Sequence, residues 1–320
     1  MLRYTTSRGH SLTVFNSNCI RILMPTIDCH VHLYPPALNA APSEWARSAG
    51  EAHWEILCAR VRKSGRAVQG FPSVDGLLRA MDLAGVERAI LQAWYWEKHD
   101  TCRMQNRFYA DCIHTHPDRL SACGTFHAAA GKNAVRAEID WLAEAGFVGL
   151  GELSPHSQTF SAQDPVWQDA LEYCGQKELP VLIHVTEPNS NAYPGRVLTA
   201  LQDFVDWAKT FPATTFVLAH WGARLPMDPA LGDEIRRCRN VFFDTAASPL
   251  LYDPSVFAEM ISAVGAERIL FGSDFPLVLY PKAETEPSIA SFVAQVKALG
   301  LKASDMERIF SGNAKYIFSL

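Results

Sequence analysis

Eight short apolar runs recur along this 320-residue chain, with helical patterns between them, and this alternation limits the fold more than any other feature. The runs fall at 27–33, 87–93, 120–126, 147–152, 181–184, 215–220, 241–244 and 268–274. Strands that alternate with helices need crossover connections, which are right-handed and build a parallel sheet. Eight such units can close on themselves, so the expected fold is α/β, a single (β/α)8 TIM barrel. Segment 37–73, after the first run, is too long for a simple connection and reads as a partly helical insertion over the barrel mouth. No low-complexity tract or Gly/Ser linker divides the chain. The expected organisation is one barrel over residues 25–320, preceded by an extension over residues 1–24. That extension either attaches loosely or forms a hairpin through 11–15 and 19–23 against the bottom of the barrel.

Helix signals frame the strands. Residues 74–84 read as a helix, with Ser73 or Asp75 near its start and Gly85 at its end. Residues 102–116 stop at Pro117, and 133–144 stop at Gly146.

Composition excludes several partners. The net charge of −5 gives no basic footprint, so nucleic acid is not expected. No apolar run approaches the ~20 residues of a membrane span. Residues 1–23 lack the continuous apolar core of a cleaved signal. The 8 cysteines are scattered with no Cys-x-x-Cys, which suits free thiols in a reducing compartment, the cytoplasm.

The chemistry collects where the runs end. In the first, apolar residues alternate with Asp28, His30 and His32, and on a strand this period of two puts both histidines on one face. Both imidazoles can then reach one metal ion. Glu152, His184, His220 and Asp274 each end a later run, and in a barrel those ends converge on one mouth. A charge left unpaired there costs on the order of several kcal/mol, which coordination to a cation removes.

Taken singly, His184 or His220 reads as a hydrogen-bonded core histidine, and Glu152 as a helix cap or a partner for lysine. Together, imidazoles and carboxylates without a thiolate suit Zn2+ first, with Mn2+ and Fe2+ as alternatives. Arg224 offers a fork for a substrate carboxylate, or is an exposed loop arginine. Trp94, Tyr95, Trp96 and Trp221 could wall a cyclic substrate or simply pack. His127 ends the third run without a readable role. No chemistry is assigned to His10, His53, His99, His114, His116 or His156.

The set His30-x-His32, His184, His220 and Asp274 resembles the metal-dependent amidohydrolase superfamily. The phrases Ile27-Asp28-Cys29-His30-Val31-His32, Leu218-Ala219-His220-Trp221-Gly222 and Leu270-Phe271-Gly272-Ser273-Asp274-Phe275-Pro276 narrow it to the amidohydrolase-related group. Ile309-Phe310-Ser311-Gly312-Asn313-Ala314 matches that group's usual ending, so the resemblance spans about residues 25–318. The group holds hydrolases and relatives of aminocarboxymuconate-semialdehyde decarboxylase.

The resemblance implies a first metal held by His30, His32 and Asp274, joined by His184 in mononuclear members. Asp274 would double as general base, and His220 would orient water or polarise the substrate. A catalytic metal with an open position lowers the pKa of its water toward ~7, so hydroxide is available at neutral pH. Glu152 departs from the carbamylated lysine with which binuclear members usually bridge two metals. Some groups, such as the TatD-like nucleases, use a glutamate. It either bridges to a second metal on His184 and His220, or binds substrate or hydrogen-bonds a ligand histidine.

The first expectation is therefore a hydrolase that uses metal-bound hydroxide on an amide, ester or lactone of a small molecule. The alternative is a metal-dependent decarboxylase or hydratase of an unsaturated or aromatic carboxylic acid, with Arg224 holding a carboxylate. A closed structural metal site ranks last. The resemblance also implies a homodimer. Substrate choice lies in the loops at 37–73, 94–101 and 187–196.

Overall fold

The computed structural model describes residues 25–320, so the expected extension over residues 1–24, with its hairpin alternative, lies outside the described residues. Eight parallel strands follow in chain order: β1 (Ile27–Val31), β2 (Arg88–Gln92), β3 (Leu120–Gly124), β4 (Gly149–Leu153), β5 (Val181–Ile183), β6 (Phe216–Leu218), β7 (Val241–Asp244) and β8 (Ile269–Leu270). Each pairs with the next. The ring closes through Cys29 N–H to Phe271 O at 2.9 Å and Asp274 N–H to His30 O at 2.9 Å. The expected (β/α)8 barrel is the observed one.

Local chemistry sets the helix ends. In Val74–Ala84, Ser73 accepts from the Gly76 amide, and Gly85 ends the helix in the left-handed region at φ 69°. The helix expected from residue 102 starts at His99 and runs to Thr115. No helix among the described residues is long and apolar enough to cross a membrane.

The period of two on the first strand is broken, with a consequence for the site. Ile27 and Cys29 pack with Ile90, Cys123, Leu182, Val217 and Leu270, residues from six strands that can meet only inside the barrel. Val31 joins the other core cluster, among helix-facing side chains. The pairing with β2 slips between Asp28 and Val31, and that irregularity re-aims the strand just where the histidines stand. A second slip, between Leu150 and Leu153, brackets Glu152 on β4.

The insertion is partly helical, as expected, with short helices at Pro36–Ala40, Pro42–Ala49 and Ala52–Cys58. Tyr34, Trp54, Trp94, Tyr95 and Trp96 bury it against the β2 loop in a separate aromatic cluster. Its last part returns to the barrel. Gln69 pairs with Leu277, and Val278 N–H reaches Val68 O at 3.0 Å, three to four residues past Asp274.

Candidate metal centre and active site

Six side chains converge at the barrel mouth in two neighbouring groups of three: His30, His32 and Asp274, and Glu152, His184 and His220. Within each group the candidate donor atoms lie within 4.8 Å of one another. His30 comes from β1 and His32 from the residue just after that strand, Glu152 from β4, and the other three from just past the ends of β5, β6 and β8. All are buried except His184, which is half-buried.

Hydrogen bonds behind the imidazoles fix their tautomers. His30 Nδ1 stands 2.7 Å from Asp244 Oδ2, and His32 Nδ1 stands 2.8 Å from the Gln92 carbonyl oxygen. Both partners only accept, so each Nδ1 carries the hydrogen, and in a neutral ring Nε2 then presents a lone pair. Those two Nε2 atoms face each other at 3.1 Å. Asp274 Oδ1 lies 3.4 Å from His32 Nε2 and 3.9 Å from His30 Nε2, while Glu152 Oε2 is 3.7 Å from both. Lone pairs and carboxylate oxygens aimed at one point repel unless a cation stands among them.

The second group repeats the pattern. His220 Nδ1 faces the Ala246 carbonyl at 3.2 Å, which leaves its Nε2 lone pair 3.3 Å from Glu152 Oε1 and 3.3 Å from His184 Nδ1. Glu152 Oε1 also stands 2.8 Å from His184 Nδ1. Glu152 thus spans both groups.

With no cation among them, the carboxylates favour an extra proton on His30 and His220, the place a metal ion would take. Burial would lower the His30 imidazole, but Asp244 and Glu152 beside it push it well above its usual range. Burial would raise the Glu152 carboxyl, yet His184 and His30 hold it well below. Asp274 is likewise lowered against its burial, by His32, His30 and His220. With neutral imidazoles, Glu152, Asp274 and Asp244 leave a surplus of negative charge in a buried place. A divalent ion with nitrogen and oxygen ligands fits this donor set.

His220 is held in an unusual backbone. Residues 220–224 all have positive φ, between 51° and 61°, and only Gly222 is suited to it. Left-handed geometry costs about 1–2 kcal/mol for each non-glycine residue. The turn is clamped by the His220 amide to Asp244 Oδ1 at 2.9 Å and by Trp221 Nε1 to Ser248 Oγ at 2.6 Å.

Above the donors opens a cavity of about 610 Å3 that His32, Glu152, His184, His220 and Asp274 line from below. Trp94 and Tyr95 form one wall, stacked at 4.1 Å, with the Trp94 ring 5.6 Å from His32. Arg60 and Arg62 of the insertion and Tyr193 of the β5 loop form another, with the Arg60 guanidinium 4.7 Å from the Tyr193 ring centre.

Two expected substrate contacts stand elsewhere. Trp221 is fully buried against Phe257 and does not line the cavity. Arg224 faces a smaller pocket behind His220, over the Tyr252 ring at 5.4 Å. Both follow from the left-handed turn, which carries the chain after His220 away from the mouth. Trp96 packs in the core, its Nε1 donating to Gln105 at 2.6 Å. His127 donates to the Gln158 carbonyl and lies outside the cavity.

Three groups went unassigned in the sequence. Asp244 ends β7 as a charged residue after apolar ones, the same signal that marked Glu152 and Asp274. Arg60 and Arg62 lie in a basic patch, but nothing in the sequence says which way an irregular insertion faces. His53 lines the cavity, with Nε2 bonded to the Gly195 carbonyl at 2.8 Å.

Comparison with known proteins fits this geometry. The amidohydrolase family model matches residues 27–320, whereas no curated protein matches the sequence. Solved structures share the fold. A 5-carboxyvanillate decarboxylase from Novosphingobium aromaticivorans, complexed with manganese and 4-hydroxy-3-methoxy-5-nitrobenzoic acid, has a TM-score of 0.72 at 16% identity, covering 92% of this chain and 96% of that one. A 2,6-dihydroxybenzoate decarboxylase from Rhizobium gives 0.63 at 18%, covering 92% and 99%. A putative 2-pyrone-4,6-dicarboxylic acid hydrolase from Pseudomonas putida gives 0.63 at 19%, covering 92% and 98%. With a family model that spans nearly the whole barrel, and the expected histidines and carboxylates gathered at its mouth, this chain belongs to the amidohydrolase family.

Proposed function

We propose that this protein is a divalent-metal-dependent decarboxylase of an aromatic or unsaturated carboxylic acid. One observation carries the proposal: a single cavity has nitrogen and oxygen metal donors below, stacked aromatic rings on one side and arginines on another. That combination suits a planar acid. The family supports it, as do the similar structures whose names are those of decarboxylases of hydroxylated benzoic acids.

His30, His32 and Asp274 would hold the ion, with Glu152 or His184 completing the set. Manganese comes before zinc or iron, because a similar decarboxylase structure is complexed with manganese and because the donor set holds no thiolate. When bound, such an ion supplies positive charge that polarises an oxygen of the substrate.

The chain's own residues do the rest. Arg60 and Arg62 draw the acid's anionic oxygens to the cavity wall. Trp94 and Tyr95 flank the ring and exclude water. Asp274, held as a carboxylate between His32 at 3.4 Å and His220 at 3.8 Å, would relay a proton from solvent to the carbon bearing the leaving carboxylate. That carbon gains the proton, its bond to the carboxylate carbon breaks, and CO2 departs. Asp274 ends the cycle as the carboxylate it began as, the net proton having come from solvent.

A second reading keeps hydrolysis, the first expectation from sequence, for a carboxylated lactone. The group formed by Glu152, His184 and His220 favours it, because it could hold a second ion. The two are separated by incubating manganese-loaded protein with hydroxybenzoic acids, unsaturated diacids and carboxylated lactones. Release of CO2 from an acid supports the proposal. Lactone opening with no CO2 from any acid favours hydrolysis.

A further inference from the structure

Three loops meet behind His220. Tyr252, just after the short helix Ser248–Leu251, places its hydroxyl 2.6 Å from Glu187 Oε2 and 3.2 Å from the His220 carbonyl oxygen. Glu187 belongs to the β5 loop, where its Oε1 accepts the Asn189 amide at 2.9 Å and its carbonyl accepts Ser190 Oγ at 2.9 Å. The same loop supplies Tyr193 and Gly195 to the cavity wall. The Arg224 guanidinium covers the Tyr252 ring. Glu187 is buried and Tyr252 half-buried, so their bond is partly shielded from water.

The phenol shares its one hydrogen between a carboxylate and a carbonyl, a three-centre bond that draws both oxygens to Tyr252. The charge-assisted bond to Glu187 is the stronger, and it fixes the hydroxyl beside the carbonyl of a residue in left-handed backbone. We propose that Tyr252 and Glu187 are positioning residues that form a strut. It locks the turn carrying His220 to the β5 loop, so that closing the cavity wall and aiming the imidazole are one event. The consequence for turnover rests on the decarboxylase reading, while the mechanical claim does not.

The test is hydrogen–deuterium exchange on the full chain for the parent, Tyr252→Phe, Glu187→Ala, the double variant and Glu187→Gln. Amides of 188–196 and 220–224 are expected to exchange about tenfold faster in Tyr252→Phe and in Glu187→Ala. The double variant should be no faster than either single, because both remove one interaction. Glu187→Gln, whose side-chain oxygen still accepts the phenol hydrogen, should stay within about twofold of the parent. With an acid that the parent decarboxylates, Tyr252→Phe should lower kcat about tenfold and change KM less than about threefold. Parent-like exchange in Tyr252→Phe, or effects that multiply in the double variant, would overturn the strut. If no acid loses CO2, the functional reading fails and the exchange result still decides the strut.

Discussion

Asp244 and His30 are joined at 2.7 Å between Oδ2 and Nδ1, and the other oxygen of the same carboxylate takes the His220 amide at 2.9 Å. One buried side chain therefore orients residues of both donor groups. Such carboxylate–histidine contacts fix the ring and raise its basicity. Asp244→Asn removes the charge and allows an amide N–H to face His30, which would reverse its tautomer. Manganese affinity, measured by competition with a chelator, should fall about 10–100-fold. An affinity within about twofold of the parent would show that Asp244 is only a backbone clamp.

The charge surplus at the mouth predicts a stability effect that needs no substrate. Chelator-treated protein must keep Glu152, Asp274 and Asp244 crowded with imidazoles, and added metal relieves this. At manganese about 100 times the dissociation constant, binding contributes about 2.7 kcal/mol, or roughly 5 °C in Tm for a domain of this size. Calorimetry that finds the same Tm with and without manganese would argue against an ion at this place.

Arginine placement separates two residues that the sequence alone could not rank. Arg62→Ala should raise KM for the acid about 10–100-fold, the loss of a hydrogen bond to a charged group. Arg224→Ala should leave KM within about twofold, because its side chain lies outside the cavity, against Tyr252. The opposite ranking would restore Arg224 as the carboxylate clamp.

A pH effect is expected far from the site. Arg136 grips both oxygens of Asp169 at 2.7 Å and Lys132 adds a contact at 2.6 Å, which ties helix Lys132–Glu144 to helix Pro165–Gln176. The Arg136 hydrogen bonds hold the Asp169 carboxyl below its ordinary value. A depressed carboxyl stabilises the fold above its unfolded pKa, and that contribution is lost as pH falls through the folded value. Asp169→Asn should therefore flatten the acid limb of stability against pH, by less than about 1 kcal/mol because the pair is close to solvent. An unchanged acid limb in urea titrations would remove Asp169 from the account.

Much of the site is legible because its residues end apolar runs, although the period of two on β1 breaks past Cys29. His30 and His32 stand at a spacing of two, and Glu152, His184, His220 and Asp274 interrupt apolar runs where water cannot solvate them. Asp244 obeys the same rule, as the charge that ends the apolar run of β7. Arg224 and Trp221 stand outside the cavity for a definite reason. Spacing carries direction only where the backbone is regular, and residues 220–224 are left-handed. The insertion hid Arg60 and Arg62 similarly, since its orientation depends on the long-range pairing of Gln69 with Leu277. Substrate class was the hardest to read. The expected preference for hydrolysis rested on Glu152, whereas the arginines and aromatic rings above it speak for an acid.

The central claim is best tested by the mass of the product formed from an aromatic acid by manganese-loaded protein in deuterated water. Decarboxylation at this site predicts a product lighter by one CO2 that carries one deuterium on the carbon that lost it, and none formed by Asp274→Asn. A product heavier by one water, or no change with any acid tried, would contradict it.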